Sequence, residues 1–352
     1  MARIITFGKA INEALYMAME IDKNVVTFGL GVDDPKRIFG TTVGLKEKFG
    51  STRVFDMPIS ENAMTGVAIG ASLNGVRPVM MHQRLDFFLL AMDQLVNNAA
   101  KWSYMFGGKS SVPITIRLIL GRGWGQGPQH SQNLQSWFAH IPGLKVVMPT
   151  TAYDAKGLLL SAIFDNNPVV FLEHRWLHNI EGDVPEKDYR VPLDKAKLLN
   201  YGSNITIVSL SYMTVEALHA LEVLHQQGIE CDLVDLRSIN PIDWETIFNS
   251  VRKTGRLLVL DTANQTLSVA SEIIARASIE VFESLKCAPR RIALPDFPTP
   301  TSPALSAGYY QRAEDIVKAC GEMLGKALET EHIVVGRKTP HDVPGDWFKG
   351  PF

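Results

Sequence analysis

Cysteine is scarce. The 352 residues hold three, Cys231, Cys287 and Cys320, odd in number and widely spaced, which excludes a disulfide framework and a zinc pattern and fits a reducing cytoplasm. Charge of one sign is also lacking: 35 Lys and Arg against 37 Asp and Glu leave a net −2, so no general attraction to nucleic acid or anionic lipid is expected. Nowhere do 18 apolar residues follow one another, so no membrane-spanning helix is expected. The opening MARIITFGKAINEALYMAME is interrupted by Glu13 and Glu20 and has no apolar stretch of signal-peptide length. Internal repeats and low-complexity segments are absent. With 46% apolar and 20% charged residues, the chain has the composition of a soluble globular protein, and its length suggests two domains.

The runs VVTFGL (25–30), RPVMM (77–81), VPITIRLIL (112–120), LKVVM (144–148) and PVVFL (168–172) read as buried strands. Helical patterns lie between them, at 11–22, at 86–102 with Asp86 as N-cap and at 154–164 with Asp154 as N-cap. This alternation predicts an α/β fold with parallel sheets covered on both faces. The stretch EGDVPEKDYRVPLDKAK (181–197) has two prolines and nine charges and reads as a connector. The predicted organisation is therefore a first domain over 1–185, a linker over 186–203 and a second α/β domain over 204–330. A C-terminal tail over 331–352 is expected to lie on a surface.

Three segments could carry chemistry. In PISENAMTGVAIGAS, Glu61 falls in the first turn of a helix, where the helix dipole favours a carboxylate, and Gly66 and Gly70 would allow close approach to a neighbouring backbone. GRGWGQGPQHSQ (121–132) follows a strand and ends near His130; its glycines do not match the dinucleotide fingerprint, but such a loop can come close to a ligand. His82, Gln83 and Arg84 follow a strand directly, at the sheet edge where open α/β folds bind ligands. Each also has an ordinary reading: a first-turn Glu, a surface loop, a satisfied imidazole, a solvated guanidinium. Phe87 by default belongs to the core. His140, His174 and His178 have no metal-ligand spacing.

Beyond these local signals, the chain from about residue 3 to about 330 resembles the beta subunit of thiamine-diphosphate-dependent 2-oxo acid dehydrogenases of the pyruvate, branched-chain and acetoin types, a branch of the transketolase superfamily. The resemblance is carried by TTVGLKEKFGSTRVFDMPISENAMTGVAIGAS, AMDQLVNNAAKWSYMFGG, QHSQNLQSWFAHIPGLKVVMPTTAYDAKGLLLSAIFDNNPVVFLE and VDLRSINPID. It implies two doubly wound domains, a transketolase-like pyrimidine-binding domain and a transketolase C-terminal-like domain. Glu61 matches the glutamate that hydrogen-bonds a pyrimidine nitrogen of thiamine diphosphate. Phe87 matches the aromatic packed on that ring, Gln83 a cofactor contact, and His130 the active-site histidine beside the substrate. Ile114, Ala162, Ile163, Asp165 and Asn167 fall on a potassium site built largely from backbone carbonyls.

The family's Gly-Asp-Gly motif with a downstream Asn, which holds magnesium and diphosphate, is missing; Gly182-Asp183-Val184 and Gly345-Asp346-Trp347 do not complete it. The resemblance thus implies an alpha-type partner that supplies those ligands, in an alpha2beta2 heterotetramer, with a lipoyl acyltransferase as a further partner. Departures fall at Met81, where an acid is common, at His82 and Arg84, where neutral or apolar residues are common, at Asp261–Asn264 and at Ala304–Ser306. His82 and Arg84, with His130, are the expected substrate contacts. Oxidative decarboxylation of a 2-oxo acid with acyl transfer to a lipoyl carrier is the leading expectation. A split transketolase-like enzyme moving a two-carbon or acyl unit, and a non-catalytic structural or regulatory subunit, are the alternatives.

Overall fold

In the computed structural model, which describes residues 3–123, 125–348 and 350, the β-branched runs become two separate sheets. The larger has seven strands in the order Ser238–Asn240, Lys145–Val147, Val169–His174, Thr115–Leu120, Arg77–His82, Val25–Gly29 and Val54–Asp56. All neighbours in it run parallel except Ser238–Asn240, which pairs antiparallel with Lys145–Val147. Alternate residues of each strand feed opposite faces, as a pleated strand requires. Val170 and Leu172 enter one hydrophobic cluster with Met80 and Ile116, while Val169 and Phe171 enter another with Val79 and Ile119. Burial on both faces explains why these strands read as continuous apolar runs.

The second sheet has the order Arg290–Leu294, Leu257–Asn264, Ile205–Ser209, Cys231–Asp235 and Lys197–Asn200, with only the last strand antiparallel. One core cluster continues from Val146 and Met148 through Ile239 into Val208 and Val234, so the two sheets share apolar packing. Two features close the seam between them. The VDLRSINPID segment lends Ser238–Asn240 to the first sheet, and Arg237 Nη1 bonds Asp154 Oδ1 at 3.0 Å. The connector region is shorter than its composition suggests, because Glu181–Asp183 forms a two-stranded ribbon with Ile4–Thr6.

Several local expectations are corrected. Asp154 is not the N-cap of its helix: the helix is Ala152–Ile163, and Thr151 Oγ1 accepts from the Asp154 amide. Nor is Asp86 an N-cap, since the helix Leu85–Phe88 starts one residue earlier with Arg84 at the N-cap position, and the Asp86 carboxylate instead accepts from Gln132 Nε2 at 2.7 Å. Gly66 faces the Gln94 side chain rather than a backbone, and nothing lies within 4 Å of a Cβ placed on Gly70. The tail packs across the seam. Trp347 Nε1 donates to the Trp176 carbonyl at 3.0 Å, and Asp342 Oδ2 lies 2.9 Å from Arg122 Nη2. Among the described residues, no helix is long and apolar enough to cross a membrane.

Candidate active site

In a parallel sheet every strand delivers its following loop to the same edge. Here that edge gathers the segments after Val25–Gly29, Val54–Asp56, Arg77–His82, Thr115–Leu120 and Val169–His174, which between them carry every chemistry-bearing residue singled out in the first domain except the carbonyl cluster. Glu61 opens the helix Glu61–Ser72, which packs against the strand Arg77–His82 and the Leu89–Ala91 turn. Its side chain is almost buried, at 6% exposure, and the described residues give its carboxylate no hydrogen-bond partner; its own carbonyl accepts from Thr65 Oγ1 at 2.8 Å. A shielded carboxylate at a helix start is favoured by the dipole, but its acceptor capacity is unused.

Phe87 and His130 come together. Their ring centroids are 5.4 Å apart with planes at 84°, an edge-to-face pair across the two loops. Phe87 is 36% exposed, so it is not a core residue. Gln83 donates from Nε2 to Asp34 Oδ2 at 3.1 Å, which ties it to the loop after the first strand. A cleft of about 620 Å³ lies beside the His130 loop, lined by Pro128, Gln132, Asn264, Asp296, Phe297 and Tyr309 and not by Glu61, Gln83 or Phe87.

His82 and Arg84 are placed differently from the expectation. The His82 side chain is fully buried, edge-on to Phe88 at 5.0 Å, with neither ring nitrogen hydrogen-bonded. Burial lowers its pKa to about 4, so it is a neutral interior imidazole with no surface to offer a substrate in this structure. Arg84 is 3% exposed beneath the glycine-rich loop: Nη1 donates to the Gly121 carbonyl at 3.4 Å and Nη2 has no partner. His82 is the last residue of the strand Arg77–His82 rather than the first residue after it, while Arg84 does follow the strand and lies under the next loop. Position after a strand fixes the edge a residue belongs to and leaves open whether the next loop folds over it.

The five carbonyl-site residues gather at one corner of the first domain, and the carbonyls of four of them, Ile114, Ala162, Ile163 and Asp165, are already engaged. Arg77 Nη1 donates to the carbonyls of Ile163 (3.3 Å) and Asp165 (3.0 Å). The Ile114 carbonyl accepts from the Val169 amide and that of Ala162 from the Asp165 amide, while Lys145 pairs with the Asp165 carboxylate and Asn167 donates to it. An added cation would stand next to both Arg77 and Lys145, so the arrangement does not fit potassium: positive charge is supplied from within. Gly182-Asp183 is equally committed, since Asp183 Oδ1 accepts from the Arg3 amide.

Arg175 was not singled out from the sequence, although it directly follows the strand Val169–His174 and the edge rule applied to residues 82–84 would have flagged it. It is 4% exposed, stacked 4.3 Å from the Phe39 ring centroid, and burial, followed by the charge of Arg84, lowers its pKa to about 10. Burial again leads at His174, with His178 and Arg84 adding to it, bringing its pKa to about 3.

Comparison with known proteins gives the family. Residues 3–179 match the transketolase pyrimidine binding domain and residues 194–316 the transketolase C-terminal domain. The chain is 42% identical over 338 residues to the acetoin:2,6-dichlorophenolindophenol oxidoreductase subunit beta of Bacillus subtilis (strain 168), covering 93% of this chain and 99% of that one. It is 38% identical over 321 residues to the pyruvate dehydrogenase E1 component subunit beta of the same organism, covering 91% and 98%. A solved structure described as a split gene transketolase, inactive beta4 tetramer, shares the fold with a TM-score of 0.73 at 24% identity, covering 91% of this chain and 98% of that one. The chain belongs to the transketolase family, in the branch formed by the beta subunits of 2-oxo acid dehydrogenase E1 components.

Proposed function

We propose that this chain is the beta-type subunit of a thiamine-diphosphate enzyme that oxidatively decarboxylates a 2-oxo acid and passes the acyl unit to a lipoyl carrier. The observation that carries the reading is Glu61, a nearly buried residue at a helix start whose carboxylate has no hydrogen-bond partner among the described residues. A ring nitrogen of an aminopyrimidine would satisfy it, and its hydrogen bond would hold the proton that favours the imino form. Phe87, half-exposed at the same edge, offers a flat apolar face to such a ring, and His130 stands against Phe87 where it could exchange a proton with a substrate. When bound, thiamine diphosphate supplies the nucleophilic carbon and the electron sink for cleavage next to a carbonyl. This chain's residues hold the ring, set its protonation and shield it from water.

Magnesium and diphosphate ligands belong to an alpha-type partner, in an alpha2beta2 assembly. The cysteines, all unpaired among the described residues, suit a reducing cytoplasm. A second reading, transfer of a two-carbon or acyl unit to another acceptor, is favoured by the positive charge at Arg84. Product analysis of the complex with pyruvate, branched 2-oxo acids and ketose phosphates separates the two.

The test of the carrying observation is Glu61→Gln in the assembled enzyme. Assembly and fold are expected to persist, while hydrogen–deuterium exchange at the thiazolium carbon falls by about two or more orders of magnitude, the scale of general acid–base contributions. Exchange at the wild-type rate would remove Glu61 from this role.

A further inference from the structure

The other buried arginines near this edge have acidic partners. Arg117 is forked onto Glu173 at 2.6 and 2.9 Å, and Arg122 lies 2.9 Å from Asp342. Arg84 and Arg175 do not. Among the described residues Arg175 donates no side-chain hydrogen bond, its Nε is buried without a partner, and its guanidinium is contacted by the rings of Phe39 at 4.3 Å and Phe348 at 5.3 Å. Arg84 lies 5.7 Å from the same Phe39 ring and its charge acts on Arg175, and each of the two lacks a partner for at least one buried nitrogen. The one carboxylate that acts on Arg84 is Asp86, which is already bonded to Gln132 and whose own pKa is raised by burial. Two buried like charges without matching anions are costly unless something supplies negative charge.

A second observation concerns the space in front of Arg84. A Cβ on Gly123 would lie 2.9 Å from Arg84 Nη2 and 2.6 Å from Gln126 Oε1, and Gly123 does not have the left-handed backbone that would itself demand glycine. The missing side chain lets the backbone of the glycine-rich loop close directly onto the unpartnered nitrogen. Phe348 then brings the C-terminal tail against Arg175, with Trp347 anchored on Trp176, so the tail closes the far side.

From this geometry we infer that Arg84 and Arg175 form an internal oxyanion site, taking a carboxylate or phosphate group of a small molecule, covered by Gly121–Gly123 and by the tail around Phe348. Two guanidinium groups on one oxyanion match its lone pairs with forked donors, which a lysine or a neutral residue cannot do. The source is either a second anionic group on the substrate or a separate small anion.

The experiment uses the assembled enzyme and inorganic phosphate as probe, with chloride at matched ionic strength as control. Phosphate is expected to raise the melting temperature of the wild type saturably. Arg84→Met and Arg175→Met should each weaken phosphate binding at least tenfold and, in buffer without polyvalent anions, melt at or above the wild-type temperature, because an uncompensated buried charge has been removed. Gly123→Ala keeps both charges but its methyl group would displace the Arg84 guanidinium; it should weaken phosphate binding as well. Kinetics then assign the source. A Michaelis constant raised about ten- to a hundredfold in Arg84→Met only for a donor with a second anionic group makes the site part of substrate recognition, whereas equal effects on charged and uncharged donors, with phosphate binding still lost, make the ligand a separate anion. Phosphate shifts equal in wild type and variants, or variants that melt well below the wild type in anion-free buffer, overturn the proposal. The phosphate arm is independent of the thiamine reading and the kinetic arm rests on it, so the two can fail separately.

Discussion

Breaking the buried pair Arg117–Glu173 should cost the fold several kilocalories and should change how it responds to acid. Glu173 is fully buried in the strand Val169–His174, and Arg117 on the neighbouring strand donates to both its oxygens. Burial alone would raise the pKa of Glu173, but the Arg117 charge, with His178 close by, brings it down from 4.5 to about 2. His178 adds no lasting charge, since burial lowers its own pKa to about 4, and its Nε2 at 3.3 Å lacks the direction of a hydrogen bond. A carboxyl group whose folded pKa lies below its unfolded one contributes stability above the unfolded value and loses it as pH falls toward the folded value. For 4.5 and about 2 the contribution at pH 7 is about 3 kcal/mol, of which about 2 kcal/mol is gone by pH 3. Glu173→Gln should therefore lower unfolding free energy at pH 7 by about 3–5 kcal/mol, because Arg117 stays buried and unpaired. Replacing both partners, as Arg117→Met with Glu173→Leu, should cost far less than the single change. Urea unfolding of the assembled protein at fixed concentration, at pH 7 and pH 3, gives both numbers. If the single variant keeps the wild-type midpoint at pH 7 and loses as much stability as the wild type on acidification, the pair is not what holds these strands.

Two further outcomes follow from the same structure. Burial, then the charge of Asp154, raises the pKa of Asp235 from 3.8 to about 7, so ionising it destabilises the fold as pH rises between those values; relative to wild type, Asp235→Asn should gain about 4 kcal/mol between pH 4 and pH 8, read from denaturant midpoints, and a flat difference would show that Asp235 is charged throughout. Phe87→Ala, which removes a half-exposed ring, should leave the melting temperature nearly unchanged while weakening thiamine diphosphate binding to the assembled enzyme up to about tenfold by calorimetry; a large loss of stability with unchanged cofactor affinity would return Phe87 to the core.

Five of the seven strands of the first sheet were legible because β-branched runs buried on both faces have no competing period, whereas the three-residue edge strand Val54–Asp56 was not. VVTFGL, predicted at 25–30, is the strand Val25–Gly29, and PVVFL at 168–172 lies within or beside Val169–His174. Helix starts were less so, since Thr151 and Asp154 can each cap and only the fold decides which side chain faces the open amides. Ser238–Asn240 escaped notice because three residues between two longer elements have no pattern of their own, although they join the domains. In the site, the edge could be read and depth could not. His82, Arg84 and Phe87 sit within six residues of one another, yet His82 is buried as the last residue of an interior strand, Arg84 is buried under the glycine-rich loop and Phe87 is half-exposed.

The interior charges of this chain then sort into two kinds. Arg117 with Glu173, Arg237 with Asp154 and Arg312 with Glu216 are matched inside the chain, each within 3.0 Å, and they tie strand to strand, domain to domain and helix to helix respectively. Glu61, Arg84 and Arg175 are not so matched, and no ion pair joins Glu61 to either arginine among the described residues, although a carboxylate and two guanidinium groups could have neutralised one another had the loops brought them together. The fold instead keeps them in separate surroundings, the acid at the start of a helix and the arginines between Phe39, Gly121–Gly123 and the tail. Separate unpaired charges of opposite sign at one sheet edge call for separate partners: a hydrogen-bond donor of a ring for Glu61, and an oxyanion for Arg84 and Arg175. Glu61→Gln should therefore leave phosphate binding intact, and Arg175→Met should leave exchange at the thiazolium carbon intact.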